Sequence, residues 1–183
     1  MRTVKAIVAV DQNRAIGFKG DLPWHVPEDL KYFANTTRGQ TVLMGRNTWD
    51  SLKAPYKPLP GRLNIVCSRH PDKIVDESNS ILRYQDPLEA IADFRQGKIP
   101  NATQTLWVVG GAQIYANTLH EWDELYLTQI FSSFEADTFF PEYDHAFRLV
   151  SSDDRTGDGG TEDLKDGDAN SKLNYSFRIY KRK

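Results

Sequence analysis

The sequence predicts a single α/β domain over residues 1–183: a central, mostly parallel sheet of about eight strands with an antiparallel C-terminal strand, flanked by about four helices. Three observations predict it. The apolar runs V-K-A-I-V-A-V, T-V-L-M-G, L-N-I-V-C-S and T-L-W-V-V-G are nearly continuous, as strands covered on both faces must be. Helix signals fall between them, and strands alternating with helices of this length imply parallel pairing. Near the C-terminus, A-F-R-L-V-S-S and L-N-Y-S-F-R-I-Y-K have no helix between them and read as a hairpin closing a sheet edge.

Each helix has a local cause. Pro27 suits the first position of a helix, where its missing N–H costs nothing. The segment R-N-T-W-D-S-L follows a turn at Gly45. Asp86, Pro87 and Glu89 occupy the N-cap, N1 and N3 positions of a capping box in the wider sense. A further helix, A-Q-I-Y-A-N-T-L, follows Gly110-Gly111, and L-Y-L-T-Q-I-F adds another strand. Residues 153–172 read as a solvated acidic loop with seven acids, three bases and four glycines. They carry too little apolar area to order themselves. A calcium loop is disfavoured because the closing Glu of an EF-hand is missing.

With 183 residues, 39% hydrophobic and 26% charged, the chain is long enough for a sizeable core and ordinary in composition. A formal net charge of −2 argues against nucleic acid. The opening M-R-T-V-K-A-I-V-A-V-D has too short an apolar run for a signal peptide or a spanning helix, so no membrane is implied and a cytoplasmic location is expected. Cys67 is the only thiol, which excludes an internal disulfide and a CxxC zinc site. His25, His70, His120 and His145 show no metal spacing, so no metal is expected.

Three strand ends favour an anion. After V-L-M, Gly45 turns the chain and Arg46, Asn47 and Thr48 open a helix, whose N–H groups and positive dipole end attract negative charge. Gly110-Gly111 permits close backbone approach of a ligand before Ala112, Gln113, Ile114 and Tyr115. Ser68 and Arg69 follow the third strand. Neither glycine turn is a GxGxxG or Walker motif. Two arginines at separate turns suit a dinucleotide with an extra phosphate, favouring NADPH over NADH.

Asp29 poses a different question. On a helix from Pro27 it shares a side with Val26, Leu30, Phe33 and Thr37, while Glu28, Lys31 and Asn35 face elsewhere. A plain first-turn acid stabilised by the helix dipole is the simple alternative. A carboxylate among apolar neighbours must be paired or protonated, and at the floor of a pocket it suits an amidine-like N–C–N edge.

The segments A-I-V-A-V-D-x-x-x-A-I-G, G-D-L-P-W-x-x-P-E-D-L-K-Y-F, V-L-M-G-R-N-T-W-x-S-L, P-L-P-G-R-L-N-I-V, V-V-G-G-A-Q-I-Y, L-Y-L-T-Q-I and D-T-F-F-P together resemble the dihydrofolate reductase family, in order and spacing, from residue 4 to about residue 143. The resemblance implies reduction of dihydrofolate to tetrahydrofolate by hydride transfer from NADPH, supporting one-carbon metabolism. It implies that Asp29 holds the pterin's 2-amino group and neighbouring ring nitrogen and assists protonation of N5 through water, near Trp24 and the Thr128 hydroxyl. Ile7, Val8, Phe33, Leu52 and Val109 match the apolar pocket wall, Leu59 the contact to the aminobenzoyl ring, and Arg62 the partner of the glutamate α-carboxylate. Ala9 and Ile16 match positions holding the nicotinamide carboxamide, with Tyr115 near the ring. Arg46, Ser68 and Arg69 would surround the 2′-phosphate, and Thr48 with the turn after Gly111 would bind pyrophosphate. The family carries a cis peptide at the glycine pair matching Gly110-Gly111.

The stretch I-G-F-K-G-D-L-P-W matches the family's mobile lid, in which Gly17 and Gly20 accommodate a change of shape and Leu22 covers the nicotinamide. A monomer is expected, and folate-like inhibitors should bind. Residues 53–60 and 153–172 are longer than in a minimal bacterial pattern. A reductase of another pterin or of a ribosylated pyrimidine, or a binding protein without turnover, are the competing readings.

Overall fold

The computed structural model describes residues 1–160 and 172–183. Among them are fourteen strand and helix segments: β1 (Thr3–Val10), β2 (Ala15–Gly17), α1 (Pro27–Thr37), β3 (Thr41–Gly45), α2 (Arg46–Ser51), β4 (Leu63–Cys67), β5 (Leu82–Tyr84), α3 (Pro87–Arg95), β6 (Thr105–Val108), α4 (Ala112–Thr118), β7 (Glu124–Ile130), β8 (Thr138–Phe139), β9 (Phe147–Asp158) and β10 (Lys172–Arg182). Eight strands form one sheet in the order β5-β4-β3-β6-β1-β7-β10-β9, and β2 pairs with β8 apart from it. The predicted architecture of a mostly parallel eight-stranded sheet, an antiparallel C-terminal end and four α-helices holds for the described residues.

Two compact units can be distinguished, Met1–Ala6 with Thr37–Asp123 and Ile7–Thr36 with Glu124–Lys183. In the first, β3 pairs in parallel with β4 and β6, β4 with β5, and β6 with the start of β1. Every residue of β3 is buried, which is why T-V-L-M-G lacks a polar alternation. The Asp86 carboxylate accepts the Leu88 N–H at 2.9 Å, capping α3 with Pro87 at its first position. Cys67 is buried, and burial with nearby Asp86 pushes its thiol up to about 12, so it remains an unreactive thiol at neutral pH.

In the second unit, β10 lies antiparallel between β7 and β9. Ala15, Trp24, Val26, Ile130, Tyr175 and Phe177 form an apolar cluster. Asp11 is 1% exposed, yet it has no cationic partner in its hydrogen-bond set. Its Oδ1 accepts the N–H groups of Asn13 and Ala15 at 2.8 and 2.9 Å, and its Oδ2 accepts that of Phe134 at 2.9 Å. This set of donors is what makes a buried charge tolerable there.

The terminal hairpin extends further than its composition implies. β9 continues to Asp158 and β10 begins at Lys172, with Asp158 opposite Lys172, so residues 153–158 belong to a strand and not to the predicted loop. An edge strand needs ladder partners more than it needs apolar area, and exposed polar residues are normal on it. Residues 161–171 of the predicted loop lie outside the described residues. The short strands β2, β5 and β8 were not among the predicted runs; with two or three residues each, they offer no periodicity to read.

Candidate active site

In the second unit the site is built around Asp29, in the first turn of α1. Thr128, buried on β7, donates its hydroxyl to Asp29 Oδ1 at 2.7 Å. The carboxyl group is walled in by protein, and burial pushes its pKa from 3.8 up to about 6, outweighing the opposing effect of the Thr128 hydrogen bond. An acid that titrates near neutrality can hold a cationic or N–H-rich edge and can also pass a proton.

Trp24 is 3% exposed, tilted against Phe134 at 5.5 Å, and its indole N–H has no hydrogen-bond partner among the described residues. Ile7 and Val8 are buried on β1, while Ala9, Ile16, Gly17 and Phe33 are half-buried. Just before α1 Val26 is buried, and within α1 Thr37 is buried with half-buried Asp29 and Phe33. Leu30 departs from the expectation, being 48% exposed. At about 100° per residue it lies at the outer margin of the predicted stripe.

The lid stretch turns back on itself through Lys19 and Gly20, both with positive φ (50° and 79°), while Phe18 and Asp21 exchange backbone hydrogen bonds at 2.8 and 3.1 Å. This is the backbone sign pattern of a tight hairpin turn, and it explains Gly20. The Asp137 N–H donates to the Gly17 carbonyl at 3.0 Å and its carboxylate accepts the Lys19 N–H at 2.9 Å. Gly17 faces Thr138, whose Cβ would stand 3.1 Å from an added methyl group. Leu22 is 44% exposed at this stretch.

The first unit carries the anion-friendly turns. The Gly45 N–H donates to the Gly110 carbonyl at 2.8 Å, and the Val109 N–H to the Leu43 carbonyl at 2.9 Å, so two of the predicted strand ends are stitched to each other. The peptide between Gly110 and Gly111 is cis, as in the family that the sequence resembles. Gly45 and Gly111 cap α2 and α4 without a side chain, leaving the first-turn N–H groups of both helices without a side-chain cap. An added methyl at Gly45 would lie 2.7 Å from Ile114 Cγ1. One at Gly110 would lie 3.3 Å from Tyr115 and 3.5 Å from Thr48 Oγ1, and one at Gly111 would lie 3.4 Å from the same hydroxyl. Tyr115 is buried and packs edge-on against Trp122 at 5.9 Å. Ala112, Gln113 and Ile114 form the first turn of α4, and Asn47 is exposed on α2. Arg46 places its Nε 3.4 Å from Asp50. Ser68 and Arg69 follow β4, with the Ser68 hydroxyl accepting the His70 N–H at 3.1 Å.

Asn64 shapes a second feature of this unit. Its buried amide bonds the Leu59 N–H and carbonyl, each at 3.0 Å, and the Arg62 carbonyl at 3.0 Å. Leu59 is thereby buried, Leu52 is half-buried, and Arg62 is aimed. The Arg62 guanidinium donates to Thr37 Oγ1 at 3.0 Å and to the Pro60 carbonyl at 2.9 Å. Burial and the neighbouring Arg38 cation lower its pKa, a pressure that an anionic partner relieves.

The family model for dihydrofolate reductase matches residues 3–182. The chain belongs to the dihydrofolate reductase family. It is 36% identical to the dihydrofolate reductase of Bacillus subtilis over 181 residues, covering 98% of this chain and 95% of that one. It is 33% identical over 191 residues to that of Aedes albopictus, covering 100% and 98%. Among solved structures it is similar to the dihydrofolate reductase from Enterococcus faecalis complexed with NADP(H) and RAB-propyl, with a TM-score of 0.78, 30% identity and coverage of 98% and 96%. The motifs assign no role to Asp11, Glu28 or Tyr32, which lie within them, or to Arg155 and Tyr175, which lie outside them. Glu28, Tyr32, Arg155 and Tyr175 meet partners distant in sequence, and Asp11 joins two nearby amides to the distant Phe134, so local spacing does not mark these contacts.

Proposed function

We propose that the chain reduces dihydrofolate to tetrahydrofolate with NADPH, and that the residues assembled above divide that work. The observation that carries this reading is the buried Asp29 carboxyl group, held by Thr128 and titrating at about 6. Asp29 accepts the 2-amino group and adjacent ring N–H of the pterin. Its raised pKa keeps a fraction protonated near neutrality, which lets it assist protonation of N5 through water. Overall, dihydrofolate, NADPH and a proton become tetrahydrofolate and NADP⁺. Trp24 contributes a buried N–H beside this path, and Ile7, Val8, Phe33, Leu52 and Val109 keep the ring in apolar surroundings. Leu59 contacts the aminobenzoyl ring, and Arg62, oriented by Thr37 and Pro60, takes the glutamate α-carboxylate.

The turns of the first unit suit a dinucleotide diphosphate, because Gly45 and Gly111 leave the first-turn N–H groups of α2 and α4 without a side-chain cap. Bound NADPH supplies the hydride. Thr48 and the α4 N-terminus, from Ala112 to Tyr115, would hold the pyrophosphate and nicotinamide ends, with Ala9 and Ile16 on the carboxamide and Gly17 beside the cofactor. Arg46, Ser68 and Arg69 bind the 2′-phosphate. Leu22 covers the reacting rings when the lid closes. Folate-like inhibitors would use the same Asp29 edge. Every residue in this scheme comes from one chain, so a monomer suffices. No helix among the described residues is long and apolar enough to cross a membrane.

The test is NADPH consumption by the purified protein on addition of dihydrofolate, with NADH and Asp29→Asn as comparisons. Turnover that prefers NADPH and is lost in the variant supports the reading. Binding of NADPH without turnover refutes the substrate assignment and leaves the cofactor turns standing.

A further inference from the structure

We infer that Glu28 and Arg155 are positioning residues for Asp29, and that the extended end of the β9–β10 hairpin holds the acid's helix turn in the place where Thr128 can reach it. This inference rests on the function proposed above.

Three strands that are neighbours in the sheet each reach the first turns of α1. From β7, Thr128 donates to Asp29 at 2.7 Å. From β10, Tyr175 donates its hydroxyl to Glu28 Oε2, and the Phe177 ring stacks on Tyr32 at 4.2 Å. From β9, Arg155 donates Nη1 to Glu28 Oε1 at 2.9 Å. The ladder puts these groups in register, with Phe177 opposite Thr128 on one side and Asp153 on the other, and Tyr175 opposite Arg155. Both oxygens of Glu28 are therefore taken by two residues that face each other across the hairpin.

Arg155 is set before it meets Glu28. Asp153 accepts from its Nε at 3.1 Å and its Nη2 at 2.8 Å, and its guanidinium lies over the Phe177 ring at 5.7 Å. The grip continues along the chain. His25 and Gly160 exchange backbone hydrogen bonds at 2.7 and 3.1 Å, and Gly159 lacks the side chain that would press within 3.0 Å of the His25 carbonyl. Gly157 likewise leaves room for the Tyr175 hydroxyl. The segment from His25 to Glu28, immediately before the acid, is thus held at both ends by the hairpin.

Glu28 and Arg155 keep 40% and 46% of their side-chain surface exposed. An ion pair so exposed adds little to global stability, so its loss should leave the fold intact and reveal a local effect. The experiment compares wild type with Glu28→Gln, Arg155→Met, the double variant and Arg155→Lys. It measures the single-turnover hydride-transfer rate with dihydrofolate, the affinity for NADPH and the thermal midpoint. A positioning role predicts a roughly tenfold slower hydride step in each single neutral variant, because a displaced reacting group is costly. The double variant loses no more than either single one, since both remove one interaction. Arg155→Lys recovers part of the rate, while NADPH affinity and thermal midpoint stay at wild-type values.

An unchanged hydride rate in all variants overturns the inference, as does a loss that only tracks the thermal midpoint. If Arg155→Met fails to fold, Glu28→Gln decides alone, because it preserves the side chain's shape and the Tyr175 contact. A wild-type protein without turnover refutes the proposed function instead. An active wild type with equally active variants refutes only the positioning role.

Discussion

Thr128 donates its hydroxyl to Asp29 across 99 positions of sequence, and this 2.7 Å bond opposes the burial that raises the acid's pKa. Thr128→Val keeps the volume and removes the donor. Burial then acts unopposed, so the pKa rises above about 6. A hydrogen bond to a charged group is worth about 1.5–3 kcal/mol, so the rise should be on the order of one pH unit or more. The pH–rate profile of dihydrofolate reduction should show its fall-off displaced upwards in the variant. A fall-off at the wild-type pH would mean that Thr128 does not hold the ionised acid.

The same pKa makes Asp29 a cost to the fold. The unfolded carboxyl titrates near 3.8 and the folded one near about 6, so the folded state binds the proton more tightly. Stability contributed by that proton is present below 3.8 and is lost as pH rises through about 6. The gap corresponds to about 3 kcal/mol. Asp29→Asn should therefore unfold at a higher temperature than wild type at neutral pH, with the advantage vanishing in acid. Thermal scans across pH test this directly; a variant advantage that is constant with pH would contradict it.

Gly45 explains itself by its neighbour. An added methyl would stand 2.7 Å from Ile114 Cγ1, and Gly45 is bonded to Gly110 through its own N–H. Gly45→Ala should push α4 away from the turn, weakening NADPH binding at least tenfold, or about 1.4 kcal/mol. Adding Ile114→Ala should restore part of that affinity by titration calorimetry. No recovery in the double variant would show that the glycine serves the ligand's approach alone.

Asp11 is expected to matter for stability. Asp11→Asn places an amide NH₂ where N–H groups already point, leaving at least one buried donor unpaired. The expected loss is about 2–3 kcal/mol in urea unfolding. A loss confined to a few tenths would mean that the Asn13, Ala15 and Phe134 amides find other acceptors.

Much of this was readable in the sequence because it is local. The apolar runs that became β1, β3, β4 and β6, the Asp86 cap and the glycine turns each depend on residues a few positions apart. Asp29 stood out because an acid broke an apolar stripe. From residue 153 onward composition points to a loop because it measures apolar area, while β9 to Asp158 is ordered by its ladder with β10. Leu30 was grouped with the stripe because periodicity assigns a side without its edge. Periodicity places Glu28 only off the apolar stripe, and its two partners, Arg155 and Tyr175, lie 127 and 147 positions away.

The contacts on either side of the stretch from Ile16 to Trp24 differ in how they meet dissolved salt. Asp11 is buried and bonded to backbone N–H groups, so mobile ions cannot approach to compete for it. Glu28 and Arg155 meet at the surface, where a Debye length of about 10 Å at 0.1 M salt shrinks to about 3 Å at 1 M. Raising ionic strength should therefore weaken the Glu28–Arg155 pair and leave the Asp11 contacts unchanged. If Glu28 and Arg155 position the turn that carries Asp29, that turn should respond to the ionic composition of its surroundings.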